Sequence, residues 1–172
     1  MLKTTPFKSA LIFCSSKQNV KILTRELKRS RFTVSEIHSD LEQTQREDVL
    51  NGFTSGRIPI LVATDILSRG IDIDTIDLVI NYDVPHDGED YVHRIGRTAR
   101  AEADGVAFTI VGHKEQNRFA AIESLIGTPV EKGEVPAHLG PTPPYQPRTR
   151  HHGRSNHKRP GKRNFRGNKR PR

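Results

Sequence analysis

The sequence predicts an α/β protein, an open parallel sheet flanked by helices, followed by a basic tail that stays disordered. Three observations predict this. Short apolar runs alternate with amphipathic segments from Ala10 to Ile126, and strands alternating with helices imply parallel pairing through right-handed crossovers. Each of the first four runs is followed closely by Ser, Thr or Asp, the residues that would line the carboxyl edge of such a sheet. The composition then changes: from Gln146 to Arg172 there are 11 Lys or Arg and no Asp or Glu.

Ala10–Cys14 is a continuous apolar run, as expected for a strand buried on both faces. Lys17–Arg29 places Val20, Leu23 and Leu27 at helical spacing. Thr33–His38 reads as a second strand. Glu42–Phe53 reads as a helix with Val49, Leu50 and Phe53 inward and Asp40 as its N-cap. Ile58–Ala63, Leu78–Tyr82 and Val106–Val111 read as the third, fourth and fifth strands. Asp87-Gly88-Glu89-Asp90 opens a helix, and Lys114–Ile126 closes the series as another, with Phe119, Ile122 and Leu125 on one side. Residues 1–128 thus form the folded domain. Residues 129–147, with six prolines, form a linker or an extended strap, and residues 148–172 cannot bury enough apolar surface to fold alone.

The formal charge of +8 is unevenly placed: residues 1–145 hold 17 basic and 20 acidic side chains, a net of −3, so the positive excess belongs to the tail. Such a tail suits a polynucleotide whose counterions it would release; a run that only keeps the chain soluble is the competing reading. The single cysteine, Cys14, excludes an intrachain disulfide and reads as a small buried hydrophobe. His151, His152 and His157 have no Cys or carboxylate nearby, so no metal site is expected. No apolar run approaches the ~20 residues of a membrane span, and no signal-peptide pattern is visible. The cytoplasm is the expected compartment, with no membrane partner.

In an open α/β sheet, ligands bind outside the carboxyl ends of the strands. Ser15 and Ser16, Ser39 and Asp40, Thr64 and Asp65, and Asp83 all fall there. Singly, such residues are turn formers and caps; their agreement over four strands points to a site. His93–Arg100 adds three arginines and a histidine in eight residues. On one helix Arg97 and Arg100 share a face, with His93 a turn earlier. Guanidinium forks match phosphate oxygens, so the pair reads as a polyphosphate clamp at the same sheet edge rather than a solvated basic helix. In Val62-Ala63-Thr64-Asp65-Ile66-Leu67-Ser68-Arg69-Gly70-Ile71-Asp72, a strand delivers Thr64 and Asp65 to the edge. Gly70 there lets backbone pass close to a ligand or a neighbouring element, and Asp72 offers a carboxylate to sugar hydroxyls.

Together these segments resemble the second RecA-like (P-loop NTPase-type) domain of a superfamily 2 helicase, and are most similar to the DEAD-box RNA helicases, bacterial RhlE-like members especially. The resemblance covers about Ser9 to Ile126. Ala10–Lys17 resembles motif IV, His38–Arg46 motif IVa with Gln43 and Arg46 as its Gln-x-x-Arg, Val62–Asp72 motif V and Asp77–Pro85 motif Va. His93–Arg100 matches His-Arg-x-Gly-Arg-x-x-Arg, motif VI. The resemblance implies ATP with Mg2+, the metal held mainly by an N-terminal RecA-like domain. It implies that Arg97 and Arg100 are catalytic arginine fingers on the γ-phosphate and that Gly70 and Asp72 meet the ribose side. Arg69, His93 and Arg94 would bridge to the partner domain and couple closure to chemistry. Ser16, Gln43, Arg46 and Thr64, with the backbone amide of Ser39, would hold RNA phosphates. The implied partners are RNA, single-stranded or duplex, the N-terminal domain of the same enzyme, and ribosomal or RNA-decay complexes.

Ser39 stands where the family usually has Gly, Ser68 where Ala is commoner, and Ala99 replaces a frequent Gly but fits the RhlE-like subgroup. The chain contains no Gly-x-x-x-x-Gly-Lys-[Ser/Thr] loop and no Asp-Glu-Ala-Asp segment. It opens at Met1-Leu2-Lys3, where the family has the end of a helix. The expectation is the C-terminal half of an ATP-dependent RNA helicase, inactive as an ATPase without the N-terminal domain. The alternative is a non-catalytic RNA-binding or annealing module acting through the tail. Gln43-x-x-Arg46 and Asn81-Tyr82-Asp83-x-Pro85 favour the RNA branch over a DNA helicase of the same superfamily.

Overall fold

The computed structural model describes residues 2–65, 76–98 and 105–147; Arg69, Gly70, Asp72, Arg100 and the tail 148–172 lie outside the described residues. The strands are β1 (Ala10–Phe13), β2 (Val34–Ile37), β3 (Ile60–Ala63), β4 (Leu78–Asn81) and β5 (Val106–Thr109). They form one parallel sheet in the order β2-β3-β1-β4-β5. Ile37, Ala63, Phe13, Asn81 and Thr109 stand in register across it. The five strands therefore finish level, and the loops leaving them share one edge.

The helices are α1 (Lys17–Arg29), α2 (Gln43–Thr54), α3 (Gly88–Ile95) and α4 (Gln116–Ile126). The step from β1 to β2 moves the chain toward one side of the sheet, and the step from β2 to β3 moves it back. With right-handed crossovers these opposite steps put α1 and α2 on opposite faces. Packing agrees: Val20 and Leu27 of α1 join Ala10, Ile12 and Cys14, whereas Phe53 of α2 joins Leu11, Phe13 and Ile37. The alternating side chains of β1 thus serve two separate cores.

A third cluster, Val84, Tyr91, Phe119 and Ile122, joins α3 to α4. The tyrosine and phenylalanine rings meet edge-on with centroids 5.9 Å apart, a favourable geometry for the ring quadrupoles. Residues 129–147 fold back along α4 as a strap. Val130 and Tyr145 pack on this cluster, and the Tyr145 hydroxyl donates to Glu123 Oε2 at 2.7 Å. Gln116 Nε2 donates to the Pro144 carbonyl and the Gln146 N–H donates to Gln116 Oε1, both at 2.9 Å. The strap thereby carries the chain from the last turn of α4 back to its first.

Two details differ from expectation. The N-cap of α2 is Glu42, whose N–H donates to Gln45 Oε1 at 3.0 Å; Asp40 is drawn off by Lys17 and Lys21 instead. Leu125 is 61% exposed because the inward stripe of α4 is Gln116, Phe119 and Ile122, and Leu125 falls beside it. Among the described residues, no helix is long and apolar enough to cross a membrane.

Candidate functional site

At the level strand ends, one carboxylate ties two exit loops together. Asp83, after β4, accepts the Ser15 N–H at 2.9 and 3.0 Å and also the Ser15 hydroxyl. Ser16 is the N-cap of α1, and its Oγ accepts the Asn19 N–H at 3.1 Å. That leaves the hydroxyl proton of Ser16 for another acceptor. After β2, His38 is buried and its Nδ1 accepts the Asp40 N–H at 3.2 Å. Ser39 is exposed, and its carbonyl accepts from Arg46 Nη2 at 3.4 Å. Gln43, also exposed, donates to Glu47 Oε1 at 2.8 Å.

Three donors at this edge are incomplete. Among the described residues, Arg46 Nε, Thr64 Oγ1 and His38 Nε2, whose ring partner Nδ1 already accepts, are buried without a hydrogen-bond partner. Each such atom costs about 1–3 kcal/mol, so orphans gathered near one edge mark a place where outside oxygens would be welcome. Asp40 lies close by and holds Lys17 Nζ and Lys21 Nζ at 2.7 Å each. Hydrogen bonds from Lys17, then Lys21, lower its carboxyl to about 2.

Arg94, expected to bridge to a partner domain, is 0% exposed and enclosed by its own domain. Nε and Nη2 fork onto Asp65 Oδ1 and Oδ2 at 2.6 and 2.8 Å. Nη1 reaches Asn81 Oδ1 at 3.2 Å and the Asp83 carbonyl at 3.4 Å. The guanidinium carbon lies 5.1 Å from the centroid of the Phe13 ring. Side chains on a helix lean toward its N-terminus, so Arg94 near the end of α3 leans back toward the strand ends. The result is a polar pin joining α3 to the exits of β3 and β4. Beneath it, burial, with the Asp83 charge adding and Arg94 opposing, pushes the Cys14 thiol up to about 12, which makes it inert.

Arg97 lies past the helix that was expected to hold it. The helix stops at Ile95, and residues 96–98 continue as a tight turn in which the Arg97 and Thr98 N–H groups donate to Arg94 O and Ile95 O at 3.2 and 3.0 Å. Arg97 therefore lies beyond the helical face expected to carry it. α3 runs antiparallel to β4, so this turn is delivered to the amino ends of the strands. There the Ile76 N–H donates to the Arg97 carbonyl at 3.3 Å. A Cβ on Gly105 would stand 2.6 Å from Thr98 O and 3.1 Å from Ile76 O, so only glycine lets the turn wedge between the entries of β4 and β5. The expected single edge is two regions, strand exits and the end of α3, with the buried Arg94 pin between them. His93 is exposed on the last turn of α3.

Sequence reasoning misses Asn81 as a participant. A polar residue closing the apolar run Leu78–Ile80, and fully buried in the sheet, is the signal that would find it. It also misses Lys17 and Lys21, whose i,i+4 spacing was legible but whose meeting point, Asp40, is 19 positions from Lys21.

The helicase conserved C-terminal domain matches residues 1–102. The ATP-dependent RNA helicase eIF4A of Meyerozyma guilliermondii is 46% identical over 131 residues, covering 76% of this chain and 33% of that protein. The E. coli DEAD-box protein SrmB, solved bound to regulator of ribonuclease activity A (RraA), aligns with a TM-score of 0.74 at 32% identity, covering 83% of this chain and 84% of that one. S. cerevisiae Dbp5 bound to RNA and ADP BeF3 aligns at 0.68 and 36% identity, covering 74% and 34%. The fold and these matches define a RecA-like helicase domain. The chain belongs to the helicase conserved C-terminal domain family, as the C-terminal domain of a DEAD-box protein. It spans about a third of the length of the curated relatives it matches. These matches support the DEAD-box family and do not carry the narrower likeness to bacterial RhlE-like members.

Proposed function

We propose that this chain is the C-terminal half of an ATP-dependent RNA helicase of the cytoplasm, supplying half of the RNA surface and the arginine fingers. The observation that carries the reading is that Thr64 Oγ1 and Arg46 Nε are buried donors without partners among the described residues at the level strand ends. RNA phosphates would accept from both, with Ser16, Ser39 and Gln43 around them. Contacts of this kind position a strand without reading its bases.

Arg97, with Arg100, Gly70 and Asp72, is proposed to face the nucleotide. Arg97 offers a cation suited to phosphate oxygens and unsuited to a metal, so Mg2+ is assigned to the partner domain. ATP supplies the transferable phosphoryl group when bound. The role of Arg94 is internal: forked on Asp65, it keeps α3 in a fixed relation to the RNA edge, so that Arg97 and Thr64 move as one body when two lobes close. Arg69 and His93 remain proposed contacts to that lobe, and ribosomal or RNA-decay complexes remain proposed partners.

The test uses the complete two-lobed enzyme. Arg97→Ala is expected to lower RNA-stimulated ATP turnover by about 10³-fold or more, with nucleotide-free RNA affinity unchanged. The chain by itself is expected to show no turnover. RNA-stimulated hydrolysis by the pure chain, lost on Arg97→Ala, would overturn the reading.

A further inference from the structure

We propose that the groove between α1 and the β2 edge is a second RNA-backbone site, taking the strand as it leaves the carboxyl edge of the sheet. This rests on the reading of that edge as an RNA surface. The groove is open, of about 520 Å³, and is lined by Lys21, Thr24, Arg25, Lys28, Arg29 and Glu36.

Charge is the first argument. Residues 1–145 are net negative, yet the 13 residues of α1 hold five cations and one acid. Spacing is the second. Lys17, Lys21 and Arg25 follow one another at i, i+4 and i+8, and Lys28 continues the row. Each four-residue step rises about 6 Å on one face, a regular ladder suited to a polyanion and not to a single ion. Continuity is the third. Asp40 gathers Lys17 and Lys21 at the mouth of the Ser16 and Ser39 loops, so the ladder starts where the strand-end surface stops.

The groove wall adds a hydroxyl. Thr24 is 2% exposed, and its Oγ1 is buried without a hydrogen-bond partner among the described residues. A threonine inside a helix usually returns its hydroxyl to the carbonyl four residues back, and this one does not. A phosphate oxygen in the groove would accept it. Asp40 pairs with Lys17 and Lys21, and Glu36 lines the far side of the groove, so the open cations are in the second half of the ladder. Glu26 holds Arg29 at 2.6 Å, while Arg25 and Lys28 form no ion pair among the described residues.

The experiment uses the full chain, fluorescence anisotropy, and two oligouridylates, one of about six nucleotides and one of about twenty. The triple variant Lys21→Gln, Arg25→Gln, Lys28→Gln removes three phosphate contacts. For the longer RNA, the slope of log K against log salt should become shallower by about 2, so the affinity lost between about 50 and 200 mM salt shrinks about 20-fold. Binding of the shorter RNA should not change. Thr24→Val should weaken only the longer RNA while leaving the melting temperature no lower, since it deletes an unpaired buried hydroxyl. An unchanged slope for the longer RNA overturns the proposal, as does equal loss for both lengths. Loss of polyglutamate binding with RNA binding intact would assign the groove to an acidic protein and also overturn it. Arg46→Gln with Thr64→Val tests the underlying edge separately: if the shorter RNA is unaffected by that pair, the strand-end reading fails, whereas the groove is judged on the difference between lengths.

Discussion

Arg94 shows how much one side chain can carry. Arginines are almost never fully buried unless paired, and this one is paired with a carboxylate 29 positions away. Asp65→Ala would leave its guanidinium enclosed with Asn81 and the Asp83 carbonyl as its remaining hydrogen-bond partners among the described residues. Removing one partner of a buried pair costs about 3–5 kcal/mol. Because the Asp65 side chain is itself 36% exposed, the lower end applies, about 3 kcal/mol. Urea denaturation should show a lower midpoint with an unchanged m-value. A midpoint equal to that of the parent would mean the pin contributes nothing. The sequence shows the arginine and motif VI around it but not its burial, because an exposed clamp and an enclosed pin have the same residue type and spacing. Gly105 is similar: its need for glycine comes from Thr98 and Ile76, and nothing in its own neighbours announces it.

Helices and strands were more legible, because their periodicity is local. Val20 and Leu27 at helical spacing mark α1, whose range agrees with expectation at both ends. Each strand agrees to within one or two residues, the usual latitude at element ends. What failed was cap choice at α2 and the side given to Leu125, both decided by neighbours in space. The sequence shows residues 129–147 as a linker or strap; the anchor on Glu123 cannot be read there. Burial alone would raise the Glu123 carboxyl, but hydrogen bonds from Lys132, Tyr145 and the Val130 N–H outweigh it and hold the group below its ordinary 4.5. A lowered folded value means stability that is present above pH 4.5 and lost as pH falls through the folded value. Tyr145 is shifted the other way, raised first by burial and then by Glu123 from its ordinary 10.0. Its contribution is present below pH 10 and lost as pH rises through the raised value. Strap attachment should therefore hold between those limits and loosen outside them. Proteolysis of residues 129–147 at acid pH reads the first limb, and Glu123→Gln should flatten it. Equal acid sensitivity in that variant would count against the anchor.

For the whole molecule, charge and topology act at different ranges. Deleting residues 148–172 removes 11 cations and changes the formal charge from +8 to −3. If the tail is the main RNA anchor, affinity and salt slope should both fall sharply, by several units of slope; an unchanged titration would leave RNA to the folded domain alone. That the chain is an open α/β sheet, that its polar groups cluster where strands end, and that its arginines suit phosphate can all be read along the chain. Those properties depend on residue chemistry and on spacings of two to four positions. Where the groups finally stand was not readable there. The level ends of five strands, the separation of Arg97 from the strand exits, the burial of Arg94 and the capture of two lysines by Asp40 arise from contacts between 11 and 68 positions apart. Such contacts exist only after crossovers have stacked the elements. A local pattern states which side chains are offered, and packing sets which of them meet.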